Sequence, residues 1–198
     1  MDNFFKNQLI ILGSKSPRRY EILKQFCSNI TVLAPDINEE SDFKDDPIKF
    51  VNDISVKKLT KLKELSHEDG LLICADTVVY HKNKIIGKPK DHKEAESFLR
   101  EFNNDWHEVY TGVSYALIKE SKAIFEESFC EKTRVKFANN SDNLLSWYIS
   151  TREPMDKAGA YGIQSLGAIL IEKIEGDYNN VVGLPVHKFL QSVLNKIM

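Results

Sequence analysis

One acid in this sequence stands where an acid is expensive. In Leu71-Leu72-Ile73-Cys74-Ala75-Asp76-Thr77-Val78-Val79, apolar and small residues follow one another with neither helical nor strand periodicity, the pattern of a strand buried on both faces. A carboxylate inside such a run loses hydration worth several kcal/mol unless a cation, a metal or hydrogen-bond donors replace the water. Asp76 is therefore either a paired structural acid or a reaction centre. Groups that could answer it are Arg18, Arg19, Lys58 and Lys88, each on a rigid element, an accessory acid at Glu39 or Glu40, and the neutral Ser14, Thr77 and Gln164. Cations and helix N-termini neutralise phosphates, and a carboxylate can hold a divalent metal or take a proton from an attacking water. Thr77 and Gln164 offer the short-range donors and acceptors that read a base edge. No Ser-His-Asp order, HExxH or zinc spacing appears, so metal-assisted hydrolysis of a phosphoanhydride uses most of these parts.

The elements that position them can be read in order. Met1–Asn7 reads as a frayed lead-in and Gln8–Leu12 as a first buried strand. Gly13-Ser14-Lys15-Ser16-Pro17-Arg18-Arg19 follows at once, with Ser16 suited to an N-cap and Pro17 to the first helical position. That helix should bury Tyr20, Leu23 and Phe26 or Cys27. Arg18 and Arg19 then occupy its first turn, the wrong sign for the positive end of a helix dipole; they are either solvated or mark a site where an anion restores the balance. The spacing excludes a Walker P-loop.

Thr31–Ala34 is a short strand that runs into Asp36-Ile37-Asn38-Glu39-Glu40, in the plainer reading a solvated loop. Asp46-Pro47 opens a helix to about Leu65, with Ile48, Val51, Ile54, Leu59, Leu62 and Leu65 on its apolar face. Lys58 projects from the middle of that face, where it either snorkels to water or reaches into a cleft and meets an anion. Val78–Tyr80 and Lys84–Ile86 make a hairpin about Asn83, and Gly87-Lys88-Pro89 holds Lys88 on a rigid turn. Asp91 and Glu94 form a capping box for a helix bearing Ala95, Phe98, Leu99 and Phe102.

Glu108–Ile118 and Ile124–Phe137 read as an antiparallel pair, in which Thr133, Val135 and Phe137 alternate with Lys132, Arg134 and Lys136. Thr111-Gly112 interrupts the first of these where another backbone passes closely. His107 is either a base or, more commonly for a histidine at a strand start, an ordinary hydrogen-bonded residue. Ser141 caps a helix with Leu144, Leu145, Tyr148 and Ile149. The aperiodic segment Glu153–Gln164 mixes Gly with Lys and Gln, which favours a ligand-lining loop over a plain linker. Gly167–Ile174 should return to the sheet, Gly176–Gly183 turn, and Pro185 start a last amphipathic helix with Val186, Phe189, Leu190, Val193, Leu194 and Ile197. No repeat or linker divides residues 1–198, which read as one domain.

Composition narrows the function classes. With 42% hydrophobic and 28% charged residues the chain reads as soluble and globular, and a formal net charge of -2 argues against a partner held by a broad basic field, such as nucleic acid. No window approaches a membrane span, and the N-terminus lacks the basic-then-apolar layout of a signal peptide. Cys27, Cys74 and Cys130 are odd in number and widely spaced, as expected of reduced cysteines in a cytosolic protein.

Ser14-Lys15-Ser16-Pro17-Arg18-Arg19, Ala75-Asp76-Thr77-Val78-Val79, Gly87-Lys88-Pro89, Thr111-Gly112-Val113, Glu153-Pro154 with Asp156–Gln164, and Val181-Val182-Gly183-Leu184-Pro185 together resemble the motif series of the Maf-like nucleoside triphosphate pyrophosphatases, in family order. The resemblance implies an α/β fold of the inosine triphosphatase-like type, an elongated mixed sheet flanked by helices, with two lobes around a cleft. It implies hydrolysis between the α- and β-phosphates of a nucleoside triphosphate, giving a monophosphate and pyrophosphate, with Mg2+ or Mn2+, in the cytoplasm and often as a homodimer, in a house-cleaning role on non-standard nucleotides. By the same resemblance Asp76 is the proton acceptor, with Lys58 and Lys88 beside it in catalysis and Glu39 sharing a metal with Asp76. Ser14, Arg18, Arg19, Glu39, Thr77 and Gln164 would bind substrate, and Arg18, Thr77 and Gln164 would set base preference. Ala75-Asp76-Thr77 with Gly162-Ile163-Gln164 resembles the branch acting on dTTP and UTP; the alternatives are 7-methyl-GTP chemistry and a nucleotide-binding regulator of cell division without turnover. Gly13 stands where the family usually has Ala, and Leu59 follows Lys58 where Ala is common.

Overall fold

A computed structural model of the chain describes residue 5 and residues 7–197. Its strands are β1 (Ile10–Leu12), β2 (Ile30–Val32), β3 (Gly70–His81), β4 (Lys84–Ile86), β5 (Trp106–Lys119), β6 (Lys122–Phe137) and β7 (Ile171–Glu175). The helices between them are α1 (Pro17–Lys24), α2 (Pro47–Leu65), α3 (His92–Phe102), α4 (Asp142–Ser150), α5 (Tyr178–Val182) and α6 (Val186–Ile197), with short 3-10 turns over Glu153–Asp156, Ala158–Ala160 and Ser165–Leu170. The strands form one seven-stranded mixed sheet in the order β2-β1-β3-β5-β6-β7, with β4 also paired to β3. This is the mixed α/β arrangement expected.

Side chains alternate across β3, and the alternation sorts the helices onto its two faces. Leu71, Ile73 and Ala75 join Leu23 of α1 and Phe189 and Val193 of α6 in one buried cluster, whereas Leu72 and Cys74 join Leu59 and Leu62 of α2 in another. β1 is buried throughout, and its parallel register on β3 ends at Leu12 opposite Ile73. Just beyond it the Gly13 N–H donates to the Ile73 carbonyl at 2.8 Å. β4 takes up pairing with β3 at Val79 opposite Ile86, while β5 follows the other edge of β3 without a break from Gly70 to Tyr80. Among the described residues one edge of β3 therefore has no strand partner between Ile73 and Val79, and Asp76 and Thr77 lie in that gap.

Several boundaries differ from the sequence reading. The lead-in expected over Met1–Asn7 lies partly outside the described residues, but Phe5 is buried in the α1/α6 cluster. In α1 it is Ile22 and Leu23 that are buried, then Cys27, while Phe26 stands exposed. Ser16 caps with its backbone alone, and its N–H instead donates to Ser14 Oγ at 3.2 Å. The buried stripe of α2 runs from Val51 to Leu62; Ile48 and Leu65, in the terminal turns, lie beyond the packed face and are exposed. β7 begins only at Ile171, because Ser165–Leu170 winds into a 3-10 turn. Gly176–Gly183 holds a short helix rather than a plain turn: the Asp177 side chain accepts from the Asn179 N–H at 2.7 Å as an N-cap, and Gly183 ends the helix at φ 121°.

Strand β5 is not interrupted at Thr111-Gly112, where it pairs on both sides, but the close backbone approach expected there is present. A Cβ built on Gly112 would stand 2.4 Å from the Val51 carbonyl oxygen of α2. The obstacle is backbone, which cannot rotate away, so α2 sits against β5 only because residue 112 lacks a side chain. Gly112→Ala should cost about 3 kcal/mol of stability, the upper end of overpacking penalties, read as a lowered urea midpoint. An unchanged midpoint would mean that α2 can lift off the sheet without loss.

Candidate active site

The gap beside β3 opens into a cleft of about 1020 Å³, lined by Ser14, Arg18, Arg19, Glu39, Glu40, Lys58, Asp76, Thr77, Lys88 and Gln164, all singled out from the sequence; His107, the other residue singled out, is not among its lining residues. They arrive from β1–α1, the acidic loop, α2, β3, the turn after β4 and the Glu153–Gln164 loop. The expectation of a strand buried on both faces holds from Leu71 to Ala75 and gives way at Asp76 and Thr77, which are partly exposed because β1 has already ended.

Lys58 meets anions. Its Nζ lies 2.8 Å from Asp76 Oδ1 and 2.7 Å from Glu39 Oε1, and its side chain is only 10% exposed, so the ammonium does not snorkel to water. Burial alone would push the Glu39 carboxyl up. The hydrogen bond and charge of Lys58, with Lys88 and Arg19 behind it, outweigh that and hold the carboxyl below its ordinary value. The acidic loop is no free solvated run, since Lys57 Nζ donates to the Glu40 carbonyl at 2.9 Å and ties it to α2. Of the two candidate accessory acids, Glu39 is the one paired across to α2.

The neighbouring arginines have different duties. Arg19 donates to the Gly183 carbonyl at 2.8 Å, to Ser14 Oγ at 3.0 Å and to Thr77 Oγ1 at 3.0 Å, bridging α1, β3 and the end of α5. Burial pulls its guanidinium below the ordinary value, and Asp76 works in the opposite direction. Arg18 instead spans the cleft to Asp156 Oδ2 at 3.0 Å. Lys88 stands exposed on its turn, and Gln164 lies half-buried on the opposing loop.

Two cleft residues were not singled out from the sequence. Lys157 donates to the Glu153 carbonyl at 2.6 Å and to Asp156 Oδ1 at 2.7 Å, its side chain 13% exposed. Asp156 thus holds both Lys157 and Arg18. The segment that holds them reads from the sequence as a ligand-lining loop, but nothing local marks this charged pair within it.

The departure at Gly13 also has a reason: a Cβ there would stand 2.4 Å from Cys74 Sγ and 2.9 Å from Leu62 Cδ2, so the glycine makes room for that cysteine and leucine.

Comparison with known proteins places the chain in a family. The family model of Maf-like proteins matches residues 9–196. The chain belongs to the Maf-like family. A Thermosipho melanesiensis protein named dTTP/UTP pyrophosphatase is 53% identical over 180 residues, covering 90% of this chain and 93% of that relative. A Pyrococcus furiosus protein of the same name is 48% identical over 177 residues, covering 89% and 90%. The structure of the Staphylococcus aureus Ham1 protein superposes with a TM-score of 0.55 at 10% sequence identity, covering 96% of this chain and all of that one, a likeness of fold alone. No described helix of this Maf-like protein is long and apolar enough to cross a membrane.

His107, the other candidate base, is buried behind the cleft. It lies 2.6 Å from the Tyr161 hydroxyl and stacks on Phe102 with ring centroids 4.5 Å apart. Burial pushes its imidazole down to about 3, with the charge of His81 adding to the effect and Asp105 opposing it. Below the usual value of 6.5 the unfolded chain binds a proton here that the native protein does not, so native stability falls as pH drops from 6.5 towards about 3. His107→Gln should therefore be less stable at neutral pH but lose less on acidification, by on the order of a few kcal/mol, in urea melts at about pH 7 and about pH 4.5. Parallel losses in both proteins would show that His107 titrates normally.

Proposed function

We propose that this protein hydrolyses dTTP and UTP to the monophosphate and pyrophosphate. The observation that carries the reading is the Lys58 ammonium held between Asp76 and Glu39, on the floor of a cleft whose walls also present Lys88, Arg18 and Lys157. The names of the relatives above support the choice of nucleotide.

Asp76 and Glu39 are hard oxygen donors already sharing one cation, and among the described residues no third His, Cys, Asp or Glu completes a metal-binding group with them. Such a pair suits Mg2+ or Mn2+, which take one or two carboxylates and fill the remaining positions with phosphate oxygens and water. Bound there, the ion would neutralise charge on the phosphates. In this reading the chain's own groups do the rest. Asp76 accepts the proton of a water attacking the α-phosphorus, and the bond from that phosphorus to the bridging oxygen breaks, releasing pyrophosphate. Lys58 holds Asp76 in place through their ion pair, while Lys88 takes up charge on the departing diphosphate. Thr77, Gln164 and Arg18 face the nucleoside, with Ser14 and Arg19 forming the wall behind them.

The same reading makes the protein a cytoplasmic enzyme acting on free nucleotides in a house-cleaning role, one domain of two lobes sharing a sheet, paired as a homodimer; the family resemblance supports these features. Purified protein with Mg2+ or Mn2+ should release pyrophosphate from dTTP and UTP ahead of a panel that includes 7-methyl-GTP. Asp76→Asn should reduce this at least about a hundred-fold while Glu39 still pairs Lys58 and the fold persists, checked by circular dichroism. Lys58→Met should cost at least about ten-fold in kcat. Full activity of Asp76→Asn would remove that carboxylate from the reaction, and nucleotide binding without turnover would favour a sensor.

A further inference from the structure

Thr111 of β5 is wholly buried, behind Thr77 as seen from the cleft, and it closes a ring of hydrogen bonds. Arg19 donates to Thr77 Oγ1 at 3.0 Å and to the Gly183 carbonyl at 2.8 Å. Thr77 Oγ1 lies 2.9 Å from Thr111 Oγ1, and Thr111 donates to the Asn180 carbonyl at 3.1 Å. That carbonyl also receives the Gly183 N–H at 3.0 Å.

Each hydroxyl has a single proton, a guanidinium only donates and a carbonyl only accepts. Thr111 gives its proton to Asn180, so the proton between the two threonines comes from Thr77. The reverse polarity would leave two lone-pair oxygens 3.1 Å apart with no proton between them. Arg19 occupies one lone pair of Thr77. What Thr77 has left for a ligand in the cleft is its other lone pair, an acceptor.

Phosphate oxygens are themselves acceptors, so they cannot hydrogen-bond to that lone pair, and their charge belongs with Lys58 and Lys88. The part of a nucleotide that meets Thr77 must bring an N–H or O–H. We infer that Thr111 is a positioning residue that fixes the Thr77 hydroxyl as an acceptor for a donor on the nucleoside, either the N3–H of uracil or thymine or a sugar hydroxyl. The inference rests on the nucleotide reading of the cleft and adds to it the polarity by which the base or sugar is chosen.

Thr111→Val removes the receiving oxygen at nearly constant volume and frees the Thr77 proton. The measurement is a ratio of kcat/KM values: UTP over CTP, whose N3 is an acceptor, and dTTP over its 3′-deoxy analogue. The wild type should prefer the donor-bearing member of one pair by about ten-fold or more. Thr111→Val should bring that ratio to within about three-fold, and Thr111→Ser, which keeps the hydroxyl, should restore it. The pair whose ratio collapses tells base from sugar. A merely structural role for Thr111 would lower all substrates alike and leave both ratios intact, which would overturn the inference; so would a wild type with no preference in either pair. If the valine variant does not fold, Thr111→Ala removes the same oxygen without adding bulk. If the wild type releases no pyrophosphate from dTTP or UTP, the proposed function fails by itself, and the comparison moves to equilibrium binding of UMP against CMP and of dTMP against its 3′-deoxy analogue.

Discussion

A single ammonium group between two carboxylates holds the cleft in its present form. Lys58 enters from the apolar face of α2, and its side chain and that of Asp76 are only 10% and 13% exposed. Removing one partner of such a pair leaves an uncompensated charge out of water, typically at a cost of about 3–5 kcal/mol. The charge pair also explains why the helix tolerates a lysine on its packed face at all. Leu59 and Leu62 bury the helix against Leu72 and Cys74, and the long stem of Lys58 carries its charge from that contact to the floor of the cleft.

The acid is accessible because the sheet is incomplete at that point. Antiparallel β5 follows one edge of β3 from Gly70 to Tyr80, whereas parallel β1 stops at Leu12, opposite Ile73, and β4 pairs only from Val79 onward, through its last residue Ile86. Open α/β sheets bind ligands at the carboxyl ends of their parallel strands, where the loops diverge. Here the loop after β1 carries Ser14, the first turn of α1 carries the arginines, and β3 continues past the end of its neighbour. One strand thus serves both as the centre of the core, through Leu71–Ala75, and as the floor of the site, through Asp76 and Thr77.

Much of this was legible in the sequence, for identifiable reasons. Pro17, Asp46-Pro47, Asp91 with Glu94 and Ser141 are local signals that fix helix starts whatever the tertiary context. The acid inside an apolar run and the lysine on an apolar face conflict with burial, and such conflicts point to sites. What escaped was what depends on long-range pairing. Nothing local says that Glu39 pairs Lys58 while Glu40 meets α2 through its carbonyl, that Arg19 turns inward while Arg18 crosses the cleft, or that Asp156 serves two cations. His107 shows the limit from the other side: its residue type suggested a base, and only the packing of Phe102 and Tyr161 around it decides against one.

The cleft's own acids occupy its cations, and exposure determines which of these pairs a polyanion can displace. Asp156, 59% exposed, and Glu39, 57% exposed, lie at the solvent ends of their pairs with Arg18 and Lys58. Ion pairs with a partner so open to water are worth about 0–1 kcal/mol, so a phosphate chain can take their place at little cost. The Lys58–Asp76 pair lies deeper and has no such exchange with water. An entering triphosphate would therefore release Arg18 from Asp156 and the loop acid from Lys58, while the pair on β3 and α2 stays joined. That asymmetry lets the acidic loop and the Glu153–Gln164 loop respond to a ligand without disturbing the strand that carries Asp76.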